Sequence, residues 1–429
     1  MDPKDATPAP AHAPVEGATF AIVLLTIMNL LNYLDRYVPA AVKDLFKADL
    51  ELTDAQTSIP SMAFIVVYML ASPAFGSFAD KGPRRLLIAL GVALWSLATA
   101  GAALAQNFTQ FLIARAFVGV GEAAYATISP SLISDYFPPE KRNRIMTIFY
   151  VAIPVGSALG FGLGGLIGAH WGWRAAFLVC GLPGLLVAAA TFMIREPGRG
   201  TFDTPEQKKA TLPSWGEALK TMARSKEYVC AVAGYTLVTF ASGGMADWFP
   251  TFLSRHRGMD LAEAAGTIGM VTVIGGLLGT AAGGLLADRL RGRTRQPYLA
   301  LSAMSMVLAT VAAVIALKVE SKQAVALWIL AAQFFLWFYN GPINAMIANA
   351  VPSAMIARAF AVSILSVHLL GDAISPTIIG VISDATGNLA LAVMIVPLTM
   401  GLGALVWLVG WRTIAETRRE GPAAAAPAH

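Results

Sequence analysis

The feature that most constrains this chain is a series of twelve apolar runs, each about 20 residues or longer, arranged as six, a polar gap and six. A helix rises about 1.5 Å per residue and a bilayer core is about 30 Å thick, so runs of this length cross it. The first set covers 19–42, 57–79, 86–105, 108–133, 144–169 and 173–194. The second covers 228–252, 262–287, 297–317, 324–350, 356–383 and 388–411. No water is available in the bilayer to pair an open backbone, so such runs fold as spanning helices and the chain is an all-α membrane protein. Composition agrees: 56% of residues are hydrophobic and 13% charged, against roughly a quarter charged in soluble domains. A soluble enzyme, a disulfide scaffold and a disordered chain are excluded.

The expected organisation is a cytoplasmic tail at 1–18, a six-helix unit at 19–195, a linker at 196–227, a second unit at 228–412 and a tail at 413–429. Residues 1–18 lack the basic start and apolar core of a signal peptide and are rich in Ala and Pro, which predicts a disordered tail, and the chain ends in a second Ala/Pro tail. With the N-terminus inside, 22 of the 31 Lys and Arg fall on the inner side and 7 on the outer, with Arg36 and Arg115 inside helices. That bias predicts both termini cytoplasmic, and the compact, short-looped chain reads as an integral protein of a bacterial cytoplasmic membrane. In the linker, Ser214 and Glu217 have capping-box spacing, and Trp215, Leu219 and Met222 share a helical face, predicting a short helix on the inner membrane surface. Cys180 and Cys230 lie in apolar runs and read as small packing residues. The net charge of +5 follows topology and predicts no nucleic-acid partner.

A motif repeats between the halves. Gly76, Asp80, Lys81, Arg84 and Arg85 follow the second run, and Gly284, Asp288, Arg289 and Arg293 follow the eighth, 208 residues later. The order Gly, Asp, basic at an inner helix end suits a latch: the glycines let helices approach and the aspartates take a basic partner. A second glycine pattern, Gly160, Gly162, Gly164 and Gly165, has no preceding strand and reads as helix packing rather than a nucleotide loop. No Gly-x-Ser-x-Gly, Walker lysine or His-Glu-x-x-His motif supports a hydrolase or an ATP-driven pump.

The repeated loop resembles the signature of the major facilitator superfamily, with Pro83 where that family usually has Gly. The resemblance implies two pseudo-symmetric six-helix bundles and alternating access around a central site. Asn32-Tyr33-Leu34-Asp35-Arg36, the stretch from Arg115 to Asp135, Phe149–Ser157 and the segment from Ser366 to Asp384 with His368 and Asp372 are similar to the Spinster family. Its members move lysophospholipids and sphingosine phosphate, so the resemblance implies a carrier, not an enzyme, of an amphipathic lipid-like substrate.

Charges buried in lipid cost about 2.5–3.5 kcal/mol each on insertion scales and are functional candidates for that reason. Asp35 and Arg115, each about 7 Å outward of the middle of an antiparallel helix, are expected to meet, with Glu122 two turns deeper than Arg115. Arg36 completes two acids and two bases. Arginine keeps its proton, so Asp35 and Glu122 are the candidate carriers of a coupling proton, with no other cofactor and no metal. His368 and Asp372, Asn340 and Asn344 are spaced four apart to meet a polar headgroup, and Tyr33, Tyr68, Tyr150 and Trp337 are candidates for the same cavity. Expected partners are membrane lipids and the amphipathic substrate, without an obligatory protein. Two alternatives stay open: an organic-anion symporter of the same superfamily, and a passive lipid scramblase or channel.

Overall fold

The computed structural model describes residues 14–202, 214–290, 296–352 and 355–414. The tail residues 1–13 and 415–429, residues 203–213 of the linker and Arg293 lie outside them. The first half contains α1 (Ala18–Ala41), α2 (Lys43–Asp49), α3 (Asp54–Lys81), α4 (Arg84–Ala102), α5 (Phe108–Tyr136), α6 (Pro139–Gly181) and α7 (Pro183–Ala190). The linker contributes α8 (Trp215–Arg224). The second half contains α9 (Lys226–Arg257), α10 (Leu261–Leu290), α11 (Pro297–Lys318), α12 (Lys322–Leu336), α13 (Asn340–Asn349), α14 (Ile356–Val367), α15 (Ser375–Thr386), α16 (Leu389–Ala392) and α17 (Ile395–Thr413).

Among the described residues, eleven helical stretches are long and apolar enough to span a bilayer. The longest, Pro139–Met193, has 55 residues and would rise about 80 Å, more than two bilayer cores. It breaks at Gly172, whose φ of 82° suits a residue without a Cβ. Before the break α6 runs along α1, where a Cβ on Gly160 would lie 2.4 Å from the Leu34 carbonyl oxygen; after it the chain returns beside Ser96 of α4. The expected packing role of the glycine pattern is therefore seen at Gly160, and splitting this stretch at Gly172 gives the twelve crossings.

Local chemistry sets several helix ends. Thr53 and Gln56 form a capping box at the start of α3, and Asn107 accepts the Gln110 amide at the start of α5. Ser214 and Glu217 form the expected capping box of α8. The face of α8 is divided differently from the expectation: Ala218 and Met222 are buried, whereas Trp215 and Leu219 are about half exposed. Trp215 instead receives the Arg358 guanidinium 4.8 Å from its ring centroid, so the helix is fastened to the foot of α14.

Two runs expected to be single helices are interrupted. A 3₁₀ turn at Trp337–Tyr339 separates α12 from α13, and a π turn at His368–Asp372 separates α14 from α15. Such π turns occur often at functional sites. Outward-facing leucines such as Leu70 and Leu186, each 76% exposed, are the surface that lipid covers.

The two halves meet most tightly at the end remote from the chain's helical termini, called the far end below. The ion pairs Lys43–Asp247, Arg255–Asp44 and Arg255–Asp54 bridge the halves there. Asp384 accepts the backbone amides of Asp54 and Ala55, both at 2.9 Å, and Ser383 donates to Asp54 at 2.6 Å. The other end, which carries the linker, is called the linker end.

Candidate functional site

A cavity lies between the halves, lined from the first by Arg36, Tyr37, Phe64, Tyr68 and Arg115 and from the second by Asp247, His368, Asp372 and Pro376. Arg36 projects from α1 into an aromatic box, with its guanidinium carbon 4.7 Å from the Tyr33 ring, 5.1 Å from Phe64 and 5.2 Å from Tyr68. The charge is attracted by each ring face. Its Nε donates to Glu122 Oε2 at 2.7 Å, and Glu122 is fully buried. The other Glu122 oxygen has no hydrogen-bond partner.

Asp35 and Arg115 do not form the pair expected from their depths; no ion pair joins them. The reason is the direction of the side chains. Every Cα–Cβ bond tilts toward the N-terminus of its own helix. Because α1 and α5 are antiparallel, Asp35 and Arg115 lean away from each other, while Arg36 and Glu122 lean together. Depth along the axis omits this tilt, and the long arginine side chain closes what separation remains.

Arg115 is 1% exposed, makes no ion pair among the described residues, and leaves Nε and Nη1 without hydrogen-bond partners. Its guanidinium carbon is 5.3 Å from the Phe64 ring, so one aromatic side chain stands against both arginines. Asp35, also 1% exposed, faces Thr99 and Trp95 of α4. Asp35 Oδ1, Thr99 Oγ1 and Trp95 Nε1 nevertheless all lack a hydrogen-bond partner. Buried polar groups are nearly always satisfied, so this concentration of unmade bonds among ionisable residues is unusual. Four charges therefore share one bundle with one direct ion pair among them.

On the opposite wall the π turn brings His368 Nδ1 within 3.0 Å of both Asp372 oxygens. The expected spacing of four is thus a direct contact, and both residues line the cavity with Tyr68. Asn340 and Asn344 do not reach this lining. Asn344 donates to the Asn340 carbonyl at 2.7 Å and to its side-chain oxygen at 3.1 Å, so the pair satisfies itself beside the 3₁₀ break. Trp337 donates to Gln333 at 3.0 Å, and Tyr150 stands edge-on to Phe149 with 48% exposure; neither lines the cavity. Tyr33 is not part of the cavity lining and stands at the site through its stack on Arg36.

In this conformation the repeated loop motif does not join the halves. Asp80 and Asp288 are exposed, as is Arg289. Arg84 is 2% exposed and clamps its own bundle: Nη1 bonds Asp135 at 2.5 Å, Nε bonds Glu196 at 3.1 Å and Nη2 bonds the Pro197 carbonyl at 3.0 Å. Arg85 donates its amide to Glu196 at 3.3 Å. A Cβ on Gly76 would make only an ordinary contact with Thr127, and one on Gly284 would meet nothing, so these glycines do not support close packing here. The tight contacts between the halves lie at the far end, which leaves the motif's acids unengaged.

Residues 25–376 match the family model of the Major Facilitator Superfamily. Protein spinster homolog 1 of Xenopus laevis is 32% identical over 383 residues, covering 85% of this chain and 72% of the relative. This chain belongs to the Spinster family. Another Spinster relative, the sphingosine-1-phosphate transporter SPNS2 of Danio rerio, is 30% identical over 416 residues, covering 90% and 82%. The crystal structure of a bacterial homolog of the human lysosomal transporter Spinster, in an inward-facing and unoccupied conformation, superimposes with a TM-score of 0.81. It is 24% identical and is covered over 96% of its length by 93% of this chain, a likeness of fold. The Spinster-family chain is a transporter of two six-helix bundles, not an enzyme.

Sequence reading missed two members of the site. Asp247 is a lone acid inside the run 228–252, and the rule that singled out Asp35 and Glu122 applies to it equally. Lys43 falls one residue past the run 19–42 and reads as an ordinary outer-loop charge.

Proposed function

We propose that this chain is a proton-coupled secondary transporter of an amphipathic, lipid-like substrate with an anionic headgroup, of lysophospholipid or sphingoid-phosphate type. The observation that carries the reading is the buried quartet of Asp35, Arg36, Arg115 and Glu122 with its single ion pair. A buried carboxylate with a guanidinium partner keeps its charge, and one that loses the partner takes a proton. Arg36 and Arg115 remain charged throughout, so a shift of α1 against α5 that changes which acid they face moves a proton. The lipid-like substrate is supported by the SPNS2 relative and by the cavity, whose rings surround cationic and hydrogen-bonding groups.

The 22-to-7 distribution of Lys and Arg supports a cytoplasmic linker end. The far end is then external, and it is closed in this conformation. In this reading the protein lies in a bacterial cytoplasmic membrane with both termini inside. Purified protein in liposomes should take up a lysophospholipid faster under an imposed pH gradient than without one. Equal flux at every gradient would instead favour a scramblase or channel. Gradient-driven uptake of small organic anions alone would favour an organic-anion symporter.

A further inference from the structure

Lys43 is 1% exposed, and its ammonium has three neighbours of unequal origin. Ser58 Oγ at 3.0 Å belongs to its own bundle. Asp247 Oδ2 and the Trp248 ring, whose centroid is 3.8 Å from Nζ, both come from α9 in the other bundle. Ser58 also donates to Asp247 Oδ2, at 2.8 Å. Asp247 in turn lines the central cavity, so its carboxylate is both a piece of the cavity wall and the cover on Lys43.

Alternating access requires the far end to open, and opening carries α9 away from α1. Lys43 then loses its carboxylate and its aromatic face together and keeps one hydroxyl. The acids that remain in its bundle do not replace Asp247. Opening also takes Arg255 from Asp44 and Asp54, but Asp54 retains Lys47 at 2.5 Å, and Asp44 projects about 100° around the helix from Lys43. The opened cavity would thus gain an ammonium seven residues beyond Arg36, just past the joint between α1 and α2.

We propose that Lys43 receives the anionic headgroup of the substrate when the far end is open, and that Asp247 holds the same ammonium when it is closed. This rests on the lipid-anion reading above and adds a residue to it. The carboxylate acts as an internal stand-in for a phosphate. Substrate and Asp247 compete for one cation, so closure requires the headgroup to move on, and Arg36 is the next cation along α1.

Binding of dodecyl phosphate and of the uncharged amphiphile monolaurin to the full chain in nanodiscs tests the competition. Asp247→Asn removes the competitor and should tighten dodecyl phosphate by about fivefold or more, with less than about a twofold change for monolaurin. The gain should vanish in Lys43→Gln/Asp247→Asn. Equal gains for both ligands would mean that the substitution only opens the gate, and a gain that persists in the double variant would place the site elsewhere. Either result, or no gain at all, overturns the proposal. Should Asp247→Asn alone fail to fold, the preference for dodecyl phosphate over monolaurin should survive in Lys43→Arg and fall about tenfold in the double variant. An unchanged preference overturns it. Wild-type protein that binds neither amphiphile would contradict the lipid-anion reading itself, whereas wild-type binding with unaltered variants contradicts only the role of Lys43.

Discussion

Two groups of buried charge serve different ends because of where their members come from. The quartet of Asp35, Arg36, Arg115 and Glu122 belongs wholly to the first bundle, whereas Lys43 and Asp247 belong one to each. A pair inside one bundle survives rigid movement of the bundles and responds to changes in protonation. A pair across the seam is made or broken by the movement itself. Placing charge within a bundle suits coupling, and placing it across the seam suits gating.

The largest effect on folding should come from breaking the intrabundle pair. Glu122→Gln strands the Arg36 guanidinium in its aromatic box, and removal of one partner of a buried pair costs about 3–5 kcal/mol. A lowered thermal midpoint and lost gradient-driven uptake are expected together. Retention of both would place Arg36 and Glu122 outside the coupling machinery.

The cross-seam pair should respond next, and in conformation as well as stability. Lys43→Met leaves Asp247 uncompensated in the closed gate and should lengthen spin-label distances across the far end. Because a buried pair replaced by apolar residues is often neutral, Lys43→Met/Asp247→Leu should restore the short distance. If the single and double variants behave alike, the pair has no gating role. Asp384→Asn should weaken the same closure by about 0.5–1 kcal/mol, since it removes an exposed carboxylate from the α3 N-terminus. The corresponding shift in the distance distribution is expected to be smaller than that of Lys43→Met.

Much of this was legible in the sequence. Apolar run length gave the twelve crossings, and the reversal at Gly172 appears as the short gap between 169 and 173. Charges inside apolar runs identified all four members of the quartet. The pairing among them was not legible, because axial depth takes no account of the opposite tilt of side chains on antiparallel helices. Lys43 was hidden by a different mechanism. Its helix carries Pro39 and ends at Ala41, and the next begins at Lys43, so the charge lies at a joint where an apolar run stops but burial continues. Asn340 and Asn344 show the converse: correct spacing on a helix, with a nearby break that lets the pair satisfy itself.

Asp35 offers the most direct test of coupling, since it forms no ion pair whose loss would confuse the outcome. Asp35→Asn imitates the permanently protonated acid at nearly constant volume and should leave the fold intact. Uptake of a lysophospholipid into liposomes should be measured with and without a pH gradient, alongside exchange of labelled for unlabelled lipid across vesicles at equal pH. The variant should lose the stimulation by the gradient and retain exchange. Full gradient-driven uptake by Asp35→Asn would contradict coupling through this acid.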